Sequence, residues 1–188
     1  MDKFTDPLIE QIVLCFGAQI GKTEAELNMI GYALDQTQSP VMMVYPTDSI
    51  AKFASDKRVQ PMIKSVKSIS DNFDENSKLL ELDFNNGNYM VLVGANSPSN
   101  LSSRSIKYLF FDEIDKYPAF SGKEADPIKL AKERTKTFVD KKIVMVSTPT
   151  VESGNIWQAF MNANERRQYY VPCPHCGVSQ TLEFKQIK

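Results

Sequence analysis

The sequence predicts an α/β domain whose sheet is mainly parallel and carries helices on both faces. Two observations lead there. Short apolar runs without polar alternation, such as "IVLCF" at 12–16 and "VMMVYP" at 41–46, read as strands covered on both sides. Stretches with apolar residues at helical spacing separate them, and that alternation marks parallel strands joined by crossover helices.

The elements follow in order. "IVLCF" is a buried strand that encloses Cys15, and a tight turn ends in Gly21-Lys22-Thr23. "TEAELNMIGYALDQ" then places Leu27, Ile30, Ala33 and Leu34 on one helical face. "VMMVYP" is a second strand, closed by Pro46 and followed by a Thr-Asp helix start. "KLLELDF" and "NYMVLVGA" alternate across "NNG", which reads as a hairpin. "KYLFFDE" is a buried strand ending in acids, "EADPIKLAKERTKTF" reads as a helix, and "KIVMVSTPT" is a strand running into a loop. "SGNIWQAFMNANERR" reads as a last helix, with Trp157, Phe160 and Met161 as core rather than a base-stacking platform. The tail "YYVPCPHCGVSQTLEF" shifts to short strands around a cysteine knuckle.

Composition excludes several classes. At 188 residues, 42% hydrophobic and 24% charged, the chain can bury one real core. No apolar run nears the roughly 20 residues that span a bilayer, and no signal peptide opens the sequence. Three cysteines are too few for a disulfide scaffold and fit a reducing interior. With a net charge of −1, nucleic-acid binding has to rest on a local patch. "KFASDKRVQPMIKSVK", with Lys52, Lys57, Arg58, Lys64 and Lys67, supplies one, although a solvated helix face is the plainer reading.

"CFGAQIGKTE" carries the main chemical signal. It ends like the phosphate-binding pattern G-x-x-x-x-G-K-[ST], but Phe16 stands at the first glycine and Gly17 comes one place late. Amides of residues 19–23 at a helix start suit a phosphate, Lys22 suits the β- and γ-phosphates, and the Thr23 hydroxyl suits Mg²⁺. A chance GKT in a turn is the alternative for the segment alone. Context weighs against chance, because Asp112 and Glu113 end another parallel strand at the same sheet edge. There an Asp can hold Mg²⁺ through water and an adjacent Glu can polarise an attacking water. Ser147 and Thr148 reach that edge from a third strand, either to sense a γ-phosphate or simply to turn the chain at Pro149. Ala18 removes one source of positive charge, which leaves Arg104 and Arg134 as candidates for the transferring phosphoryl group. Cys173 and Cys176 have zinc-knuckle spacing but are only two ligands of four; either the other pair lies beyond Lys188 or there is no metal here, and a sequence that stops mid-segment favours the former.

Taken together, "GAQIGKTE", "VMMVYPT", "GANSPSNLSSRSIKYLFFDEIDKYP", "DPIKLAKERTKTF", "VSTPT" and "YYVPCPHCG" resemble the ATPase portion of a phage terminase large subunit of the GpA type, over nearly the whole chain. The resemblance implies a P-loop NTPase fold of the ASCE type. It makes Gly17, Ala18, Gln19, Ile20, Gly21, Lys22, Thr23 and Glu24 the Walker A loop, displaced glycine included. Asp112 becomes the Walker B acid, Glu113 the catalytic glutamate, and Ser147-Thr148-Pro149 the motif coupling hydrolysis to DNA movement. Cys173 and Cys176 become the first half of a CxxC…CxxC pair that takes Zn²⁺ in the full-length protein. The implied activity is Mg²⁺-dependent ATP hydrolysis that drives double-stranded DNA into a procapsid in the host bacterial cytoplasm. The implied partners are DNA, a small subunit, the portal and a homo-oligomeric ring, without a membrane. Residues 1–165 would be the motor domain, short at its N-terminus, and 166–188 the start of a truncated knuckle segment.

Two departures shape the expectation. Only "MDKFTDPLIEQ" precedes the first strand and its loop, where the resemblance implies an adenine-holding segment, and the nuclease domain that the resemblance implies is expected to lie outside these 188 residues. Weak nucleotide binding, slow turnover alone and no DNA cleavage are expected. The competing functions are a helicase-like remodelling ATPase and a non-catalytic DNA-binding module.

Overall fold

The computed structural model describes residues 2–102, 104–120 and 126–181. A six-stranded sheet runs β1 (Gln11–Cys15), β6 (Lys142–Ser147), β5 (Tyr108–Asp112), β2 (Val41–Tyr45), β4 (Tyr89–Gly94) and β3 (Glu81–Asp83) in spatial order. The first five are parallel, and β3 pairs antiparallel with β4. The expected hairpin is therefore present, and Gly87 at φ 82° makes its turn.

Every residue of β2, β5 and β6 is buried, which is why these strands read as unbroken apolar runs. The sequence expectation for β1 needs correction. It is an edge strand and only half-buried, and Cys15 is half-exposed rather than buried. An apolar run alone does not tell a central strand from a lightly covered edge.

The helices are α1 (Asp2–Thr5), α2 (Lys22–Tyr32), α3 (Asp48–Ala54), α4 (Gln60–Ser65), α5 (Lys67–Ser70), α6 (Pro98–Leu101), α7 (Pro127–Glu133) and α8 (Asn155–Met161). Their apolar faces divide between two cores. Leu27 and Ile30 of α2 and Ile63 of α4 pack with Val41, Met43 and Phe110 on one face of the sheet. Ile128 of α7 and Ile156 of α8 pack with Met42, Val44 and Phe111 on the other. Phe110 and Phe111 are both fully buried, and each such side chain contributes roughly 1.5–3 kcal/mol by burial. Helices thus cover both faces, as the sequence predicts.

Two helices are shorter than their sequence patterns. Asp126 caps α7 by accepting from the Ile128 amide, with Pro127 in the first turn; the helix stops at Glu133, where the Thr135 hydroxyl turns back to the Lys132 carbonyl at 2.8 Å. α8 ends at Met161, before "NANERR". None of its expected core residues is fully buried, since Trp157 and Phe160 are half-buried and Met161 is exposed; Ile156 is the buried residue of this helix. The tail forms a separate hairpin of β7 (Val171–Pro172) and β8 (Ser179–Gln180). No helix among the described residues is long and apolar enough to cross a membrane.

Register is what places chemistry. Cys15 pairs with Ser147, and Asp112 pairs with Val146 one residue earlier on β6. Three parallel strands therefore deliver their following loops to one edge of the sheet.

Candidate active site

The loop at the tip of β1 continues the sheet for one residue, since the Phe16 amide donates to the Ser147 carbonyl at 3.2 Å. It then turns through two left-handed residues, Gln19 (φ 56°) and Gly21 (φ 85°). A side chain would be strained at Gly21, although nothing stands within 4 Å of a Cβ there or at Gly17. Residues 16–21 are exposed, Ala18 and Ile20 among them, and no side chain caps the start of α2. The first-turn amides of an eleven-residue helix thus follow an exposed loop and have no side-chain cap, a position that favours an anion.

Lys22 opens α2 and is 8% exposed. Its ammonium donates to the Gly17 carbonyl at 2.8 Å and to Thr148 Oγ1 at 3.0 Å. Among the described residues no carboxylate pairs with it, so a nearly buried cation is held by neutral oxygens only. Thr23 beside it is half-buried and Glu24 is exposed.

One turn later comes a residue that the sequence reading passed over. Glu26 is fully buried, and neither carboxylate oxygen has a hydrogen-bond partner. Burial raises its pKa well above the ordinary value; Asp112 and Glu113 push it further, and Lys22 opposes them. Only its position on the buried face of α2, where an apolar residue is expected, could have signalled it.

Asp112 ends β5 and is 9% exposed. Burial first, then the Glu113 charge, raises its pKa to about 6, while Lys22 and Arg58 pull it down. Glu113 stands in the left-handed region at φ 53°, a conformation costly for a residue with a side chain. Its carboxylate meets Lys116 at 3.1 Å.

The β6 exit divides its two hydroxyls. Ser147 is fully buried and accepts from the Asp115 amide at 3.4 Å, so it serves the protein interior. Thr148 is the one that meets Lys22. Asp115, also missed in the sequence, joins the loops: Oδ2 accepts from the Thr150 amide (3.0 Å) and hydroxyl (2.9 Å), and Oδ1 from the Ile156 amide at 2.7 Å. The acid strand, the β6 loop and the start of α8 thereby form one hydrogen-bonded unit.

The two arginine candidates lie away from the loop. Arg104 pairs with Glu81 at 3.3 Å and stacks on Tyr89, the first residue of β4. Arg134 donates to the Ser102 carbonyl at 3.1 Å, and its own carbonyl accepts from the Ile106 amide before β5. Both lie at the opposite edge of the sheet, because the loops holding them enter strands rather than leave them.

Cys173 and Cys176 sit in the β7–β8 turn, where Gly177 at φ 73° donates to the Cys173 carbonyl at 2.9 Å. Backbone hydrogen bonds from Cys176 and His175 lower the Cys173 pKa. No group of three His, Cys, Asp or Glu able to hold a metal exists among the described residues, so the pair has no third ligand there.

The chain is similar to known proteins in sequence and in fold. A family model described as phage terminase large subunit gpA, ATPase domain, matches residues 1–188. The terminase large subunit of Enterobacteria phage P21 is 27% identical over 192 residues, covering 98% of this chain and 30% of that protein. The chain thus spans about 30% of the length of the curated relative it matches. The large terminase ATPase domain of Thermus phage P74-26 superimposes with a TM-score of 0.65 at 19% identity, over 92% of this chain and 72% of that one. The large terminase of thermophilic bacteriophage D6E in complex with ADP gives 0.61 at 15% identity, over 81% and 37%.

Proposed function

The chain belongs to the phage terminase large subunit gpA ATPase family, and on that premise we propose that it hydrolyses ATP at the tip of β1 to drive double-stranded DNA into a procapsid. One observation carries the site: a nearly buried ammonium, on an open loop of free amides, has only neutral partners and lies beside two acids. Such a cation lacks the anion that its surroundings are built to take.

Each residue then has a task. The 19–23 amides wrap the phosphates, and Lys22 exchanges Gly17 and Thr148 for phosphate oxygens. Glu113 accepts a proton from the attacking water, after leaving Lys116. The donor set suits Mg²⁺: the Thr23 hydroxyl would hold it directly and Asp112 through water. A bound Mg²⁺ neutralises charge on the phosphate oxygens. Thr148, released by Lys22, passes the change through Thr150 and Asp115 to α8.

In this reading the chain works in the host bacterial cytoplasm with the small subunit and the portal. Arg104 and Arg134 act on phosphate only across a ring, on a neighbouring chain's loop. Phosphate release from Mg·ATP tests the proposal. Lys22→Ala should abolish it, and Glu113→Gln should keep nucleotide binding while removing turnover. Wild-type turnover in Lys22→Ala contradicts the loop assignment.

A further inference from the structure

Charge in the site does not balance. Glu26, Asp112 and Glu113 interact electrostatically with one another, and Lys22 is the buried cation that opposes them. A triphosphate brings further negative charge, more than one lysine offsets. Lys116 is engaged with Glu113, Arg104 with Glu81, and Arg134 with a carbonyl at the far edge.

Arg58 is placed differently. It lies in the π-helical turn Ser55–Val59 that joins α3 to α4, and such turns recur at functional sites. Its side chain is exposed, and no carboxylate pairs with it among the described residues, whereas Lys57 next to it is spent on Asp56 at 2.8 Å. Arg58 lines a cavity of about 410 Å³ together with Glu24, Leu27 and Asn28, in the first turns of the helix that Lys22 opens. Its positive charge is felt at Asp112 and at the buried Tyr45 hydroxyl, the tips of β5 and β2.

We propose that Arg58 is a catalytic arginine supplied from within the chain, its guanidinium reaching from this cavity to the γ-phosphate of the ATP held by Lys22. The inference rests on the nucleotide site proposed above. A guanidinium fork matches two phosphate oxygens at once and carries its charge at every working pH. It would offset the charge on the γ-phosphate, and leave ADP without that contact.

The test compares the wild-type chain with Arg58→Ala and Arg58→Lys, titrated with fluorescent ATP and ADP analogues in Mg²⁺, alongside phosphate release. Thermal melts establish that the variants fold, as expected for an exposed side chain. Arg58→Ala should weaken ATP binding about tenfold, leave ADP binding within about twofold, and lower turnover about 100-fold; Arg58→Lys should recover part of each. Unchanged ATP affinity and turnover in Arg58→Ala overturn the proposal, as does a loss confined to duplex-DNA binding. Wild-type binding that Lys22→Ala removes and Arg58→Ala spares sinks the Arg58 assignment alone. A wild-type chain that binds no nucleotide sinks the site and Arg58 together.

Discussion

Lys22 Nζ donates to Thr148 Oγ1 at 3.0 Å, a hydrogen bond between residues 126 apart in the chain. It ties the loop after β1 to the loop after β6 through a cation that the phosphates would claim. If the ammonium exchanges Thr148 for a phosphate oxygen, as proposed above, nucleotide binding releases this contact.

Thr148→Val tests that contact. Losing the hydroxyl should cost the ligand-free protein about 1 kcal/mol, the usual worth of one such bond. With Mg·ATP bound the cost should nearly vanish, because Lys22 then has phosphate partners. Chemical denaturation with and without nucleotide measures both values.

Glu26→Met should stabilise the ligand-free protein. It replaces a fully buried carboxyl lacking any hydrogen bond with an apolar side chain suited to a helix interior. A gain of about 1–3 kcal/mol in denaturant unfolding at pH 8 is expected, and a loss of that size would contradict the burial argument.

Asp112 gives a pH dependence with a definite sign. Its folded pKa of about 6 lies above the unfolded value, so the folded state holds the proton more tightly. Stability from this group is fully present below about pH 4, declines as pH rises towards 6, and stays lost above it. The two-unit shift corresponds to about 3 kcal/mol. Asp112→Asn should therefore flatten the stability profile between pH 4 and 7 and raise the melting temperature at pH 8, while removing Mg²⁺-dependent turnover.

Gly154→Ala should be disruptive although the backbone there is ordinary. An added Cβ would stand 2.5 Å from Asp115 Oδ2 and 2.9 Å from the Val151 carbonyl. Asp115 would have to release Thr150 or Ile156. A loss of about 2–3 kcal/mol in thermal unfolding is expected.

The sheet was legible because three strands carry apolar runs with no alternation, and because "NNG" marks the antiparallel exception. β1 was misjudged: "IVLCF" has the composition of a central strand, and nothing local reveals that only β6 lies beside it. Lys22, Asp112 and Glu113 are legible because each lies at the exit end of a strand or on the loop that leaves it, where parallel topology fixes the edge. Arg104 and Arg134 lie away from the loop for the same reason in reverse, because residues that precede a strand lie at the other edge. Glu26, Asp115 and Arg58 carry no local signature. A buried acid, a loop-joining acid and an arginine in a basic run become distinctive only through neighbours distant in sequence.

The central claim is that one triphosphate is enclosed by the tips of β1, β5 and β6. A crystal structure of the Glu113→Gln chain with ATP and Mg²⁺ tests it most directly. The account predicts Lys22 Nζ moved from Gly17 and Thr148 onto the β- and γ-phosphates, with the metal between Thr23 and Asp112. Nucleotide bound elsewhere, with Lys22 still on Gly17 and Thr148, would contradict it.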